Sequence, residues 1–303
     1  MALLCTVLWG ATANGGGDGM KKSRKTRYKL PKYSKSTILE RMDDLEAPFE
    51  MRLNTTISKI IKDYVSNGRR GTEIILGRRA IFFPIFEQYL QEKGLPEELK
   101  YLAVIESGLD PTAVSKVGAA GLWQFMPKTG RKYGLVIDDY RDERFDIHKS
   151  TVAAVDYLDY LYNRFDDWTL AIAAYNCGPG RVSKEIRKAG TRDFWKLKKK
   201  LPKETQRYVQ KFLAVNYVMS YYLFYDLHPD YPDYNLQLTA LTKVYKRRSF
   251  KQLALETGVD VEIIRRLNPA YKKELVPPVR QGNLLMLPKI GRQDDYQLLQ
   301  VYR

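Results

Sequence analysis

Apolar residues recur at helical spacing over most of the chain, and this periodicity constrains the fold more than any other feature of the sequence. Between residues 37 and 228 the pattern returns in four stretches, at 57–65, 81–90, 152–161 and 209–223. Apolar side chains three and four positions apart line one face of a helix. The sequence therefore predicts a mainly α body over residues 37–228.

A turn-rich break follows this helical region. The residues are His228-Pro229-Asp230-Tyr231-Pro232-Asp233, and Pro and Asp of this kind interrupt regular structure. We place a domain boundary here. The pattern over residues 234–303 then predicts a strand, two short helices and a second strand, with Phe250, Leu253, Ala254, Ile263, Ile264 and Leu267 in a small core.

The first 36 residues differ in composition from the rest. An apolar run at 2–9 precedes Ala11-Thr12-Ala13, the small-x-small pattern of a secretory cleavage site, although the basic region that normally comes first is missing. Residues 14–35 are Gly-rich and then basic, with few aliphatic side chains to bury, which is typical of a flexible arm. We therefore expect an exported protein of the periplasm or cell envelope.

The charge balance and the metal-ligating residues limit the function classes. The chain has 51 Lys and Arg against 35 Asp and Glu, a net charge of +16, which suits an acidic partner such as nucleic acid, an anionic envelope polymer or a membrane surface. Its Cys and His residues are Cys5, Cys177, His148 and His228. These predict neither a disulfide framework nor a metal site.

Glu106 is the strongest candidate for an acid–base group. The helix predicted to begin after Pro96 ends near Glu106, next to Val104 and Ile105. The negative end of the helix dipole and partial desolvation both favour the protonated carboxyl and raise its pKa. A general acid needs this property near neutral pH, but the helix on its own also fits a solvent-facing end.

Two loops strengthen this interpretation. A small-residue loop spans 115–127 and ends in Gly121-Leu122-Trp123-Gln124-Phe125-Met126-Pro127, and a later helix ends in Ala-Tyr-Asn-Cys-Gly-Pro-Gly at 174–180. With Glu-Ser-Gly-Leu-Asp-Pro at 106–111, this set resembles the family 23 glycoside hydrolases. That family comprises the soluble lytic transglycosylase domain and its goose-type lysozyme relatives, and the chain is most similar to the membrane-bound murein transglycosylase D branch.

The resemblance covers residues 95–217 and implies a lysozyme-like α-helical catalytic domain in which Glu106 is the sole general acid and base. It implies that Tyr175 lies within hydrogen-bond reach of the catalytic carboxyl group. The other implied substrate-binding residues are Ser115, Gln124, Met126, Asn176, Glu204 and Tyr208. Two positions depart from the family pattern: Cys177 stands where Ala is common, and Trp123, often Met in relatives, is expected to narrow or stack against a sugar subsite.

The implied reaction needs no second carboxylate and no cofactor. A two-carboxylate glycosidase would place a second acid about 5 Å away for retention or roughly 6.5–9.5 Å away for inversion, and Asp110, Asp142 and Glu204 are the candidates. The family instead cleaves the β-1,4 bond between N-acetylmuramic acid and N-acetylglucosamine and forms a 1,6-anhydro-muramoyl end. The alternatives are a hydrolytic muramidase and a non-catalytic peptidoglycan-binding protein.

The C-terminal segment resembles a LysM module, a small α+β unit of βααβ order that binds peptidoglycan. The Gly-Asp-Ser/Thr turn of such modules is replaced by Lys246-Arg247-Arg248-Ser249. Two roles therefore stay open for this segment: sugar binding, or a structural cap without sugar binding. The expected partners are peptidoglycan glycan strands, with peripheral envelope or membrane association, no nucleic acid and a monomeric state. Helically spaced tyrosines near the end of the catalytic body are assigned to packing: Tyr217, Tyr221, Tyr222 and Tyr225.

Overall fold

A computed structural model describes residues 34–289 of the chain. The predicted signal-like segment and nearly all of the basic arm lie outside the described residues, as do residues 290–303. Within 34–289, no helix combines the length and the apolar character that crossing a membrane requires.

The larger unit consists of helices joined by loops and short turns, which confirms the mainly α prediction. Single turns of 3-10 helix occur at Glu97–Lys100, Glu143–Phe145, Lys198–Lys200 and Tyr222–Tyr225, and Asp63–Asn67 is π-helical. The α-helices are α1 (Lys35–Asp43), α2 (Thr55–Lys62), α3 (Arg69–Lys93), α4 (Tyr101–Ser107), α5 (Pro127–Lys132), α6 (Ile147–Phe165), α7 (Trp168–Cys177), α8 (Pro179–Ala189), α9 (Phe194–Leu197) and α10 (Lys203–Tyr221).

Helix α10 is the centre of this unit. It packs against α2, α4 and α7, and apolar side chains on several of its faces, such as Phe212, Leu213 and Val218, are fully buried. Helix α4 is also buried along most of its length, from Tyr101 to Ile105. A helix that is apolar around most of its surface belongs in the interior of a bundle, so the end of α4 that carries Glu106 lies against α10.

Two of the four helically spaced tyrosines near the end of the catalytic body are buried, as predicted. Tyr217 and Tyr225 are buried, and their hydroxyl oxygens lie 2.9 Å apart, within hydrogen-bond distance. Tyr221 and Tyr222 are half-buried. The hydroxyl of Tyr221 donates to the carbonyl of Arg41, so this residue fastens α1 to the body.

The turn-rich break at 228–233 is held against α3. The Asp230 amide donates to the Glu73 carbonyl at 2.9 Å, and the Arg70 guanidinium donates to the Asp230 carboxylate at 2.7 Å. A Cβ at Gly77 would lie 1.8 Å from the Asp230 carbonyl oxygen. Only glycine at position 77 allows this close approach.

The smaller unit has the predicted order of a strand, two helices and a strand. After a short helix α11 (Tyr234–Gln237), strand β1 (Thr239–Val244) pairs antiparallel with β4 (Asn283–Pro288), with Thr239 opposite Pro288 and Val244 opposite Asn283. Between them come α12 (Phe250–Thr257) and α13 (Val261–Leu267). The structure adds a two-residue pair, β2 (Arg248–Ser249) with β3 (Leu275–Val276), that the sequence pattern does not predict.

The predicted core of this unit needs one correction. Phe250, Leu253 and Ile264 are buried in it together with the strand residues Val244, Leu285 and Leu287. Leu267 instead packs into the core of the helical body, as does Met286. Both side chains leave the small core because their faces of α13 and β4 meet the larger unit.

Backbone hydrogen bonds also join the two units. The Asp142 amide donates to the Ala270 carbonyl and the Lys272 amide to the Tyr140 carbonyl, both at 2.9 Å. The Arg141 side chain donates to the Asn283 side-chain oxygen at 3.3 Å. We therefore propose residues 228–233 as the boundary between the two units in the sequence. In the structure, apolar packing and hydrogen bonds connect the two units.

Candidate active site

Glu106 is the penultimate residue of α4, where the helix ends beside the small-residue loop. The hydroxyl of Ser107 donates to the carbonyls of Ala103 at 3.0 Å and Leu122 at 2.9 Å. These bonds tie the end of α4 to the loop. As a result, Glu106 is fixed at the junction between the helix and the loop.

Glu106 is half-buried at this junction. Burial raises its pKa from 4.5 to about 7; the hydrogen bond from Tyr208 and the charge of Lys211 oppose this rise, and the charge of Glu204 adds to it. The prediction of a raised pKa is therefore confirmed in direction. Desolvation is its main cause.

Helix α10 supplies all three of these neighbours. Glu204, Tyr208 and Lys211 are spaced i, i+4 and i+7, so they lie on one helix face. The Tyr208 hydroxyl donates to Oε1 of Glu106 at 2.6 Å. The Lys211 ammonium donates to the carbonyl of Ile105 at 3.0 Å. Lys211 is not among the site residues identified from the sequence, although its helical spacing from Tyr208 was a usable signal.

Tyr175 requires a correction. Its hydroxyl donates to the carbonyl of Trp123 at 2.8 Å, so the implied hydrogen bond to Glu106 is wrong, and Tyr208 makes that bond instead. Gln124 adopts a positive φ of 49°, and this turn presents the Trp123 carbonyl to Tyr175. Burial first and the charge of Glu106 second raise the pKa of Tyr175.

The small-residue loop holds its own shape. Ser115 accepts a hydrogen bond on Oγ from the Ala119 amide at 2.9 Å. The side-chain amide of Gln124 donates to the carbonyls of Ala113 at 3.1 Å and Gly121 at 2.9 Å. Met126 is 41% exposed. Of the three predicted residues in this loop, Met126 thus offers the most open side chain, and the Gln124 amide nitrogen stabilises the loop.

A buried ion pair positions the same loop. The Arg144 guanidinium donates to both carboxylate oxygens of Asp142, at 2.9 and 2.7 Å, and to the carbonyls of Gly118 and Phe125. A Cβ at Gly121 would lie 1.8 Å from the Arg144 carbonyl oxygen, so glycine is required there. Both carboxylate oxygens of Asp142 are therefore engaged in the ion pair with Arg144.

Trp123 is a core residue. It is fully buried, its indole N–H donates to the Thr151 hydroxyl at 3.0 Å, and its ring centroid lies 4.8 Å from that of Phe86. The expectation that Trp123 narrows or stacks against a sugar subsite is wrong. The indole belongs to the hydrophobic core of the helical body.

Asn176 and Cys177 share a neighbour that sequence reasoning missed. The buried Thr205 hydroxyl donates to Oδ1 of Asn176 at 2.7 Å and lies close to the Cys177 thiol. The bond to Oδ1 orients the Asn176 amide group. Burial, the largest influence, raises the pKa of Cys177, which keeps the thiol protonated.

Of the other two candidate carboxylates, Asp110 accepts hydrogen bonds from the amide and the hydroxyl of Thr112, at 2.9 and 2.7 Å. Glu204 is the acidic neighbour whose charge acts on Glu106. The described residues contain no group of three or more His, Cys, Asp or Glu side chains that could hold a metal ion.

Tyr157 of α6 forms part of the wall of the site and was also missed. Its ring centroid lies 5.3 Å from that of Tyr175. Burial raises the pKa of Tyr157 above its ordinary value. An aromatic surface thus adjoins the carboxyl group of Glu106.

Comparisons with known proteins find matches in both units of the chain. Residues 83–198 match the transglycosylase SLT domain, and residues 239–300 match the LysM-like domain of the lytic transglycosylase MltD. Membrane-bound lytic murein transglycosylase D of Escherichia coli K12 is 44% identical over 135 residues, which cover 43% of this chain and 29% of that protein. The chain therefore aligns with less than a third of this relative.

Other matches are more distant. A putative tributyltin chloride resistance protein of Alteromonas sp. M-1 is 41% identical over 98 residues, covering 32% of this chain and 47% of that protein. The structure of an inactive mutant of the lytic transglycosylase Slt from Pseudomonas aeruginosa has 26% identity and a TM-score of 0.40, and covers 46% of this chain and 24% of that one.

Proposed function

Because the chain carries a transglycosylase SLT domain at 83–198 and a LysM-like domain of the MltD type at 239–300, we propose that it is a peptidoglycan lytic transglycosylase. The bond cleaved is the β-1,4 linkage between N-acetylmuramic acid and N-acetylglucosamine. The observation that carries the proposal is the carboxyl group of Glu106, which has a pKa of about 7 and accepts a 2.6 Å hydrogen bond from Tyr208.

The first step is proton donation by Glu106. With a pKa of about 7, a substantial fraction of the group is protonated at neutral pH. Its proton passes to the glycosidic oxygen as the bond from that oxygen to the muramoyl anomeric carbon breaks. The acetamido oxygen of the same sugar bonds to the anomeric carbon and replaces the leaving group.

The second step returns the proton. The ionised carboxylate of Glu106 takes the proton of the muramoyl 6-hydroxyl, whose oxygen attacks the anomeric carbon and displaces the acetamido oxygen. Tyr208 and Lys211 both favour the ionised form of Glu106, so they stabilise the carboxylate that the first step leaves. The product is a 1,6-anhydro-muramoyl end, and water is not a reactant.

Three of the remaining site residues are assigned to sugar binding. Ser115, Met126 and Asn176 border the loop and helix end beside Glu106. The Thr205 hydroxyl donates a hydrogen bond to Oδ1 of Asn176. This bond fixes the orientation of the Asn176 side chain, including its amide nitrogen. Gln124 keeps the loop in shape. Tyr175 packs beside the carboxyl group, and Glu204 supplies a negative charge near it.

Peptidoglycan is found in the bacterial cell envelope, and we assign the protein to that compartment. Relatives in the comparison are named as membrane-bound and soluble lytic murein transglycosylases, which supports a substrate in the envelope. The net charge of +16 favours association with an anionic polymer. The LysM-like unit, joined to the catalytic unit through Leu267 and Met286, would lie against the same strands.

The test is a digest of purified peptidoglycan with the wild type and with Glu106→Gln, followed by mass analysis of the soluble products. We expect anhydro ends from the wild type and at least about 100-fold slower release from the variant. Reducing ends would establish the hydrolytic muramidase instead. Binding without release by either protein would establish the non-catalytic alternative. Lys59→Ala, an exposed change on α2, is the control.

A further inference from the structure

A row of tyrosines continues outward from the candidate active site. The ring centroid of Tyr157 lies 5.3 Å from that of Tyr175, 5.1 Å from that of Tyr133 and 6.4 Å from that of Tyr160. Tyr160 is 36% exposed, whereas Tyr133 and Tyr157 are half-buried. We call Tyr133, Tyr157 and Tyr160 the tyrosine ledge. It runs from the wall of the site to the surface.

Two cations flank the outer end of the tyrosine ledge. The Lys132 ammonium lies 5.0 Å from the ring centroid of Tyr160 and 5.5 Å from that of Tyr133. The Arg164 guanidinium donates to the Tyr160 hydroxyl at 3.2 Å. Both side chains are exposed. An incoming group at Tyr160 therefore meets two positive charges, one near the ring and one at the hydroxyl.

The carboxylates nearest in the chain are already paired. Asp156 and Asp159, on the same helix as Tyr160, lie 2.8 and 3.8 Å from the Lys93 ammonium. Within residues 34–289, neither Lys132 nor Arg164 forms an ion pair with a carboxylate. The outer end of the ledge thus offers aromatic surface and charged donors. Among the described residues, the Arg164 guanidinium donates only to hydroxyl groups, those of Tyr160 and Ser183, so the charges of both cations remain unneutralised for an anion.

This chemistry selects one part of the proposed substrate. A neutral sugar needs hydrogen-bond acceptors as well as donors, whereas Lys132 and Arg164 only donate. The peptides attached to muramoyl sugars carry carboxylates along a partly apolar chain. An extended peptide advances about 3.3–3.6 Å per residue, so about four residues are long enough to follow the ring contacts of 5.3 and 6.4 Å from Tyr175 to Tyr160.

We propose that the tyrosine ledge, with Lys132 and Arg164, binds the carboxylate-bearing peptide of the glycan strand and makes the enzyme prefer peptide-bearing strands to bare ones. The proposal rests on the lytic transglycosylase function argued above. It assigns the preference to a surface that lies outside the residues acting on the glycosidic bond.

The test compares two substrates with the full chain. One is a preparation of soluble glycan strands with their peptides, and the other is the same preparation after an amidase has removed the peptides. The rate of formation of anhydro ends gives kcat/KM for the wild type, for Lys132→Ala/Arg164→Ala and for Lys59→Ala/Lys62→Ala. The last variant removes two exposed charges on α2 and matches the first in net charge.

We expect the wild type to favour peptide-bearing strands, and this preference to fall as salt is added. Lys132→Ala/Arg164→Ala should lose about tenfold in kcat/KM on those strands and less than about twofold on bare strands. The control should keep the preference. Equal thermal unfolding midpoints of the three proteins show that folding is unaffected.

Three results would overturn the proposal. If the wild type cleaves both substrates equally well, the ledge does not recognise the peptide. If Lys132→Ala/Arg164→Ala loses the same factor in kcat/KM on peptide-bearing and on bare strands, the ledge binds sugar. If Lys59→Ala/Lys62→Ala loses as much on peptide-bearing strands, only the overall charge of the protein matters. A wild type that forms anhydro ends from neither substrate contradicts the lytic transglycosylase function itself, which separates the two failures.

Discussion

The hydroxyl of Tyr208 donates a 2.6 Å hydrogen bond to Oε1 of Glu106. The two residues are about a hundred positions apart, on α10 and α4, and the packing of these helices brings them together. The bond favours the ionised carboxylate, whereas burial favours the protonated form. The balance leaves the pKa of Glu106 at about 7, where one group can both give and take a proton.

Tyr208→Phe removes that hydrogen bond. The pKa of Glu106 should then rise further, because the bond lowers it in the wild type. We expect the fall in kcat/KM that follows ionisation of Glu106 to move from about pH 7 to higher pH, with a lower kcat. A pH–rate profile measures both. Tyr217→Phe, which changes a buried tyrosine of the same helix, is the matched control, and an unmoved profile would count against the role of Tyr208.

Glu106→Gln should stabilise the protein in a pH-dependent way. The folded-state pKa of about 7 lies above the ordinary value of 4.5, so ionisation costs stability as pH rises between these values. We expect a gain of up to about 3 kcal/mol in the free energy of unfolding near pH 8 and little of this gain near pH 4. Urea denaturation at both pH values provides the measurement. A gain of the same size at both would show that the charge is not the cause.

Thr205→Val removes the donor to Oδ1 of Asn176 while keeping the shape of the side chain. The Asn176 amide should lose its fixed orientation, and KM should rise about three- to tenfold with a smaller effect on kcat. Thr205→Ser restores the hydroxyl and should recover the wild-type KM. Steady-state kinetics on soluble strands make the comparison. Equal KM values for the valine and serine variants would exclude this positioning role.

Arg144→Met leaves the buried carboxylate of Asp142 without its partner and frees two carbonyls of the small-residue loop. Removing one member of a buried ion pair costs about 3–5 kcal/mol, and we expect a loss of this order in the free energy of unfolding. Chemical denaturation measures it. Arg187→Met, an exposed arginine on α8, should change stability by less than about 0.5 kcal/mol. A comparable small loss for Arg144→Met would contradict the ion pair's structural role.

Much of the fold could be predicted from the sequence because its signals are local. The helical period marks the body, and the pattern after Tyr234 predicts the strands that became β1 and β4. The two-residue pair β2 and β3 is too short to show a period. The burial of Leu267 in the larger core depends on how two units meet, which no single helix reveals.

The candidate site divides in the same way. Glu106 and the two loops follow from motifs that are continuous in the chain. The hydrogen bond to Glu106 comes from Tyr208 and not from Tyr175, because the acceptor of a tyrosine hydroxyl depends on helix packing and not on the motif that contains the tyrosine. Thr205 and Tyr157 were missed for the same reason. Lys211 could have been found, since it shares a helix face with Tyr208.

The most direct test of the account is digestion of peptidoglycan by the wild type in water enriched in heavy oxygen. The account holds that the muramoyl 6-hydroxyl, activated by Glu106, replaces water as the nucleophile. It predicts anhydro-muramoyl ends that contain no heavy oxygen when the products are analysed by mass spectrometry. New muramoyl ends that carry one heavy oxygen from solvent would show that water attacks the sugar, and would contradict the lytic transglycosylase mechanism.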